Sequence, residues 1–221
     1  MTETDGGQGM SLISVSGAGR ATAPPDVMRV QLVASALRGS VAEALAASEQ
    51  AASAIRAVLA GAGVAAADAR TVGLSIHAEQ VWDQGGTPRT TGFRSEHRMS
   101  LALRDLAVAG RVLGDALAAG GDDLRLESAG FEIEDDAPLR ERARAAAWAD
   151  AADRAAQLAA LAGVSLGPVH TIAEQSGAMP APMPMMAMKR ELDAGTAVGV
   201  EPGMVGVEVG LAVQWRLGPP T

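Results

Sequence analysis

The chain contains no cysteine among its 221 residues. Disulfide bonds and thiolate metal sites are therefore excluded, and cysteine usage gives no information about the redox compartment. Aromatic residues make up only 2% of the chain and tyrosine is missing, although 48% of the residues are hydrophobic. Because alanine has to fill much of the interior, we expect a core that depends on close backbone approach rather than on large rings.

The sequence also lacks the signals of several partner classes. The formal net charge is −8, and no Lys/Arg stripe is interleaved with aromatic residues, which argues against nucleic acid as a partner. No stretch approaches ~18 consecutive apolar residues, so no integral membrane segment is expected. Residues 1–10 are acidic, polar and rich in glycine, without the basic start and apolar run of a secretory signal. They predict a disordered tail and a cytoplasmic chain.

The stretch from Ile13 to Val33 combines two alternating segments with a glycine corner. Gly17 and Gly19 resemble the start of a dinucleotide-binding loop, which needs a third glycine and a helix start at position 22. That position is Thr22, and a double proline follows at 24–25, which keeps the chain extended. The stretch therefore predicts a strand, a turn and a second strand.

Periodicity and capping signals predict the remaining elements. Ser40 and Glu43 form a capping box before a helix that ends at Gly61 to Gly63. Alternation predicts strands at 72–82 and 93–103. The apolar positions are even-numbered in the first strand and odd-numbered in the second, so their apolar faces match when the numbers of opposite residues add up to an odd number. The predicted register places His77 opposite Glu96. A strand at 124–134 changes its apolar face, which predicts a bulge near Gly130.

The C-terminal half predicts the longest helix and the clearest strand. The helix begins at Asp136 or Ala137, runs to about Ala162 and presents a stripe of small residues that includes Leu158. A short strand is expected at 168–174, and the strand from Val205 to Leu217 should be central to a sheet or to an interface. Asp105 is expected to cap the helix that lies between the predicted strands at 93–103 and 124–134.

These elements follow the order β-β-α-β-β-α-β-α-β-β. This order predicts an α+β fold with mostly antiparallel sheets covered by helices. We expect a single domain, or two lobes, over residues 11–218, with a flexible Met/Pro-rich loop at 176–202.

Candidate chemistry is sparse. His77 and His97 should point to opposite faces of their strand pair, which argues against a zinc site and makes His97 a packed or interface histidine. Glu132, Glu134, Asp135 and Asp136 lack calcium-loop spacing, so a solvated strand end and helix-start charges are favoured over a cation site. The one G-x-S-x-G match, at 163–167, lies between a predicted helix and a predicted strand and not on the strand-to-helix turn of a nucleophile elbow. We therefore expect no enzyme and no cofactor.

The methionines at 176–202 are the exception to this sparseness. They are Met179, Met183, Met185, Met186 and Met188. Thioethers suit Cu(I), but they also make adaptable apolar contacts, and the segment could equally be a loop whose only requirement is flexibility. A loop or contact surface is preferred to a copper site.

Several stretches together resemble the SIMPL-domain family, also called DUF541. They appear in order along the chain: V-S-G-x-G with P-D at 15–26, L-x-x-A-G-V at 59–64, D-x-x-T-x-x-L-S-I at 68–76, G-F at 92–93, L-x-L-R-D-L at 101–106, an A-R…D-A-x-x-R-A helix from Ala143, L-G-x-V at 166–169, and E-P-G-x-V-x-V at 201–207. The resemblance implies an α+β domain, mostly exported bacterial proteins and a tendency to self-assemble, without an enzymatic chemistry to carry over.

The sequence thus favours a non-enzymatic homo-oligomer, for which a ring or a channel is the form considered. The contact candidates are Met183, Met185, Met186, Val207, Val209 and Leu211, and the 71–104 hairpin and the last strand are expected to offer edges for pairing. The alternative is a small-ligand or Cu(I) module that uses the methionines or a pocket beneath Trp82 and Trp215. An enzyme of unknown class ranks last.

Overall fold

The computed structural model describes residues 11–82, 86–175, 181–182 and 203–220. The helices and strands, in chain order, are β1 (Leu12–Ala23), β2 (Val27–Arg38), α1 (Val41–Gly61), β3 (Ala69–Trp82), β4 (Pro88–Leu103), α2 (Leu106–Gly120), β5 (Leu124–Glu132), α3 (Ala137–Leu161), β6 (Val164–Gln175), β7 (Ala181–Pro182) and β8 (Val205–Pro220). The fold is α+β, and all of the described strand pairs are antiparallel.

The chain divides into two compact units. The first unit holds β1, α3, β6, β7 and β8, and the second holds β2 to β5 with α1 and α2. Each unit has a sheet with helices packed on it.

In the first unit, β8 lies between β1 and β6, as expected for so long an alternating strand. α3 packs across the sheet with a stripe of alanines at 143, 147, 151, 155 and 159, all of them buried. Leu158 was expected in this stripe but is 47% exposed, because the spacing of four places the buried line on the alanines.

Gly17 and Gly19 of β1 explain why the stripe consists of small residues. A Cβ at Gly17 would lie 2.2 Å from the Ala147 carbonyl oxygen, and one at Gly19 would lie 2.1 Å from the Ala143 carbonyl oxygen. Both distances are shorter than any packed Cβ contact. The glycines of β1 and the alanines of α3 therefore let strand and helix backbones touch directly.

Two α3 side chains also bind the backbone of β1, an edge strand. The Asp150 carboxylate accepts a hydrogen bond of 2.9 Å from the Ala18 amide, and Arg154 donates one of 3.0 Å to the Ser16 carbonyl. The two side chains are 3.0 Å apart and form an ion pair. They occupy backbone groups that would otherwise be available to another strand.

The second unit has a sheet in the order β3-β4-β2-β5. Its core consists of large aliphatic residues: Met28, Val30 and Leu32 from β2, Ile55 and Leu59 from α1, Met99, Leu101 and Leu103 from β4, and Leu113 from α2. The helix starts are as predicted, since Ser40 and Glu43 form the full capping box and Asp105 accepts from the Ala107 amide.

Two details of the second sheet differ from the sequence predictions. The bulge on β5 is real but occurs at Glu127, because Gln31 pairs with Ser128 while Leu32 pairs with Leu126. The odd-sum register of β3 and β4 is confirmed in the middle of the pair, yet His77 lies opposite Arg94 rather than Glu96. The register depends on the bulges and on the turn, and the sequence pattern fixes only its parity.

Three strands begin earlier than predicted: β3 at Ala69 rather than 72, β4 at Pro88 rather than 93, and β6, which spans Val164–Gln175 rather than 168–174. Apart from this, the predicted order of elements holds, with the two-residue β7 as an addition. The predicted tail at 1–10 lies outside the described residues, and so does nearly all of the predicted loop at 176–202.

Candidate functional site

The most exposed apolar surface of the second unit lies on β3. β3 pairs with β4 on one side, and no described strand pairs with its other side. Its exposed apolar residues, with their exposed fractions, are Val72 (56%), Leu74 (56%), Ile76 (37%), Val81 (48%) and Trp82 (70%). We call this strand with its exposed apolar side chains the β3 edge.

The strand register explains why these side chains are apolar although they are exposed. Leu74 lies opposite His97 and Ile76 lies opposite Ser95, and directly opposite residues share a face of the sheet. His97 and Ser95 are buried on the face of β4 on which α1 packs. The apolar face of the sheet therefore continues onto β3 beyond the part that is buried.

Few charges are available to protect the β3 edge. Glu79 is bound by the Arg94 guanidinium, which lowers the pKa of the Glu79 carboxyl chiefly through this hydrogen bond, and His77 Nε2 lies 3.7 Å from the same carboxylate. No described side chain covers the outer backbone from Ala69 to Ile76 in the way that Asp150 and Arg154 cover β1. The β3 edge thus combines an unpaired backbone with an apolar face.

A polar cavity of about 220 Å³ lies elsewhere in the second unit. Arg104 dominates its wall: its guanidinium pairs with Asp68 and with Glu134, at 2.7 Å for Glu134. These two carboxylates raise the pKa of Arg104, and the Arg104 hydrogen bond in turn lowers the pKa of Glu134. Arg70 also lines the cavity and makes no ion pair with a described residue.

A third cluster joins α1, β3 and β4. His97 is 6% exposed; its Nε2 lies 2.7 Å from the Thr71 hydroxyl and its Nδ1 lies 3.0 Å from a Glu49 carboxylate oxygen. The Nδ1 contact has the distance of an ion pair but not the alignment of a hydrogen bond. The other Glu49 oxygen is bound by Arg56. His97 is packed, as expected from the sequence.

Within the described residues, no three His, Asp or Glu side chains lie close enough together to hold a metal ion. Glu132 and Glu134 pair with Arg29, at 3.5 and 3.2 Å. In the first unit, Asp136 pairs with Arg140, which lowers the pKa of the Asp136 carboxyl mainly through their hydrogen bond. Glu132, Glu134 and Asp136 are therefore each paired with an arginine.

The predicted contact residues have different outcomes. Met179, Met183, Met185, Met186 and Met188 lie outside the described residues. Val207, Val209 and Leu211 are 2%, 4% and 6% exposed within a single chain. These three are therefore core residues of the first unit, and contact between any of them and another subunit stays a prediction.

Two further expectations need correction. β8 has a neighbour on each side, so the last strand does not offer a free edge, whereas the 71–104 hairpin does, through β3. Trp215 is 4% exposed and contacts Trp148 in a tilted arrangement at a centroid distance of 5.9 Å, while Trp82 is 70% exposed. Neither tryptophan lines the Arg104 cavity.

Sequence reasoning did not single out Glu49, Thr71, Asp68 or Arg104 as interacting residues. A signal was present for three of them, since Asp68 and Thr71 are the D and T of D-x-x-T-x-x-L-S-I and Arg104 is the R of L-x-L-R-D-L. Glu49 carried no such signal. Its position relative to His97 depends on how α1 crosses β4.

Within the described part of the chain, no helix has the length and apolar character needed to cross a membrane.

Comparison with known proteins identifies one family and two curated relatives. Residues 13–215 match the SIMPL family, described as "Protein of unknown function (DUF541)". The chain is 30% identical over 180 residues to a "26 kDa periplasmic immunogenic protein" of Brucella melitensis biotype 1, covering 78% of this chain and 70% of that protein. The protein of the same name from Brucella abortus strain S19 matches with the same identity and coverage. The chain is therefore a member of the SIMPL (DUF541) family.

Proposed function

We propose that this protein is a non-enzymatic component that self-assembles into a homo-oligomer through the β3 edge. The observation that carries the proposal is the combination of an unpaired strand with exposed apolar residues at Leu74 and Ile76. Unprotected edges of this kind pair readily with another strand, and monomeric proteins usually block them. The edge of β1 is blocked by Asp150 and Arg154, whereas that of β3 is not.

A second copy of the same strand is a suitable occupant for geometric reasons. In an antiparallel pair, directly opposite residues share a face of the sheet. The apolar residues Leu74 and Ile76 have even numbers. Two copies of β3 therefore place their apolar faces on the same side of the joined sheet when the numbers of opposite residues add up to an even number. Leu74 of one copy then lies opposite Ile76 of the other, and the two-fold axis repeats this contact once with the copies exchanged. In that register Arg70 faces Gln80 and Glu79 faces Thr71, so no like charges oppose each other.

The β3 contact alone closes into a pair, because a two-fold interface uses the same surface on both subunits. A ring or channel would require a second contact surface. The methionines at 183, 185 and 186 remain the sequence's candidates for it.

The native mass of the protein tests the proposal. Light scattering behind a sizing column should give a multiple of the 22.3 kDa chain at micromolar concentration. Leu74→Lys adds a charge at a position that is 56% exposed, so the fold should persist while the pairing of two copies is opposed. This variant should shift the mass toward the monomer.

Leu161→Lys is the matched control, because Leu161 is 85% exposed at the end of α3 in the first unit. It should leave the mass unchanged. A wild-type chain that elutes as a monomer at these concentrations would refute assembly, and equal masses for Leu74→Lys and the wild type would refute the β3 edge as the contact.

The Arg104 cavity supports a second candidate function, the binding of a small anion. Arg29, Arg70 and Arg104 line it together with Asp68 and Glu134. Since Arg29 and Arg104 together balance the charges of Asp68 and Glu134, the Arg70 guanidinium is left to attract an anion. Inorganic phosphate should then raise the melting temperature of the wild type but not that of Arg70→Gln, and an equal rise in both would exclude this use of the cavity.

Placement in the cytoplasm stays a prediction. The two Brucella relatives are named periplasmic. Fractionation of the source cells with an antibody to the protein would distinguish the two compartments.

A further inference from the structure

We propose that Thr71 is a base-activated hydroxyl and a covalent attachment site for acyl groups. The observation is the chain of three side chains from Thr71 through His97 to Glu49, with contacts of 2.7 Å and 3.0 Å. This inference rests on a different observation from the proposed assembly and requires no turnover; because Thr71 belongs to the β3 edge, its hydroxyl is reached in the unpaired chain.

The positions of the three groups set their roles. The Glu49 carboxylate lies beside Nδ1 and favours a proton on that nitrogen, since a neutral imidazole carries one N–H. Nε2 is then the acceptor, and the Thr71 hydroxyl donates to it across 2.7 Å. A hydroxyl that donates to a neutral imidazole is activated as a nucleophile.

The surroundings favour this arrangement over a mobile surface contact. His97 is 94% buried, by its 6% exposure, so its ring is held by packing between α1 and β4. Arg56 binds the remaining oxygen of Glu49 and thereby orients the carboxylate toward the ring. Thr71 is exposed on an edge strand, so a reagent from solvent can reach its hydroxyl.

A purely structural role for Thr71 would require fewer contacts around the His97 ring. A buried histidine needs only one partner for Nε2, and water could supply it at an exposed position. A structural hydrogen bond between Thr71 and His97 does not need a carboxylate beside Nδ1. The Glu49 carboxylate stabilises the imidazolium that forms when the Thr71 hydroxyl loses its proton. Glu49 is accordingly a positioning residue, and Thr71 and His97 are the reacting pair.

The chemical step is the transfer of an acyl group from an activated ester. Thr71 Oγ1 forms a bond to the acyl carbon, and the bond from that carbon to the leaving alkoxide or phenoxide breaks. The hydroxyl proton passes to His97 Nε2 and from there to solvent or to the leaving group. The product is an O-acyl threonine, and no oxidant or reductant is involved.

The composition makes this step easy to observe. Lys189 is the only lysine in the chain, and there is neither cysteine nor tyrosine. Competing acyl acceptors are therefore few. Thr90 on β4 is an internal reference, because it is exposed and has no histidine or carboxylate partner within the described residues.

The experiment uses the full chain with p-nitrophenyl acetate and follows acetylation of each site by peptide mass mapping. Thr71 should be acetylated faster than Thr90 by about 10²-fold or more, as expected for a positioned base. His97→Gln should reduce the rate at Thr71 to that of Thr90, and Glu49→Gln should reduce it partially. Added imidazole should restore part of the rate in His97→Ala, which a structural role would not produce.

Equal rates at Thr71 and Thr90 in the wild type would overturn the proposal. So would an unchanged rate in a folded His97→Gln variant. If His97→Gln does not fold by circular dichroism, Glu49→Gln decides, because Glu49 has a 51% exposed side chain and its substitution should spare the core. An unchanged Thr71 rate in Glu49→Gln would then overturn the proposal.

Discussion

At the scale of single residues, Gly19 is the glycine of the first unit that lies closest to the backbone of α3. An added Cβ would lie 2.1 Å from the Ala143 carbonyl oxygen and 2.2 Å from the Ala147 amide nitrogen. These are backbone atoms of α3, so no rotamer change can relieve the overlap. Gly19→Ala should therefore destabilise the chain by about 3 kcal/mol, near the upper end for overpacking, measured by urea denaturation.

Gly130→Ala is the control for this effect, because a Cβ there meets no atom within 4 Å. Gly130 also lies in a strand and does not have a positive φ. Its substitution should change the free energy of unfolding by less than about 1 kcal/mol. Similar losses for both variants would show that glycine in a strand, and not contact with α3, causes the effect.

Glu134 provides a pH-dependent prediction. Arg104 lowers its pKa, so its carboxylate favours the folded state above the usual glutamate pKa of about 4.3 and loses this contribution as pH falls through the lower folded value. Glu134→Gln should therefore lower the urea midpoint at pH 7. The difference from the wild type should shrink as pH is lowered from about 5 to 3.

Glu127→Gln is the matched control for Glu134→Gln. Glu127 is exposed on β5 and has no ion pair with a described residue. Its urea midpoint should follow that of the wild type at every pH. If the gap between wild type and Glu134→Gln stays constant down to pH 3, the ion pair with Arg104 is not its cause.

At the scale of elements, the start of α1 depends on its capping box. The Glu43 amide donates to the Ser40 hydroxyl at 3.3 Å, and the Ser40 amide donates to the Glu43 carboxylate at 3.1 Å. Ser40→Ala should lower the free energy of unfolding by about 1 kcal/mol. Ser53→Ala, at an exposed position inside the same helix, should leave it unchanged or slightly higher, as measured by urea denaturation.

The same helix shows what the sequence can and cannot predict. Its start follows from S-x-x-E, a local signal, and the strand alternation of β8 is equally local. The crossing of α1 over β4 is not local, and this crossing brings Glu49 to His97. The Thr71, His97 and Glu49 cluster was therefore not predicted, although each residue belongs to an element that was.

The β3 edge was predicted only in part for a related reason. Alternation placed Leu74 and Ile76 on an apolar face, which suggests a buried face. Their exposure depends on where the helices lie, and α1 packs mainly on β4 and β2. Conversely, Val207, Val209 and Leu211 have the same alternation and are buried under α3. Periodicity identifies an apolar face but not what covers it.

At the scale of the whole molecule, assembly and folding are linked. A partner that binds only the folded chain raises its apparent stability, and the gain increases with concentration. If copies pair through the β3 edge, the melting temperature should rise as protein concentration increases from about 1 to 100 μM. A monomer has no such dependence, since its unfolding does not change the number of particles.

Three proteins separate pairing at the β3 edge from other causes of a concentration-dependent melting temperature: the wild type, Leu74→Lys and Leu161→Lys. Leu74→Lys should melt at nearly the same temperature at both concentrations, because its charge opposes pairing at the β3 edge. Leu161→Lys should keep the wild-type dependence. Differential scanning calorimetry at each concentration supplies the measurement. A wild-type melting temperature that is independent of concentration would place the β3 edge among surfaces that remain exposed, and its apolar residues would then need another partner.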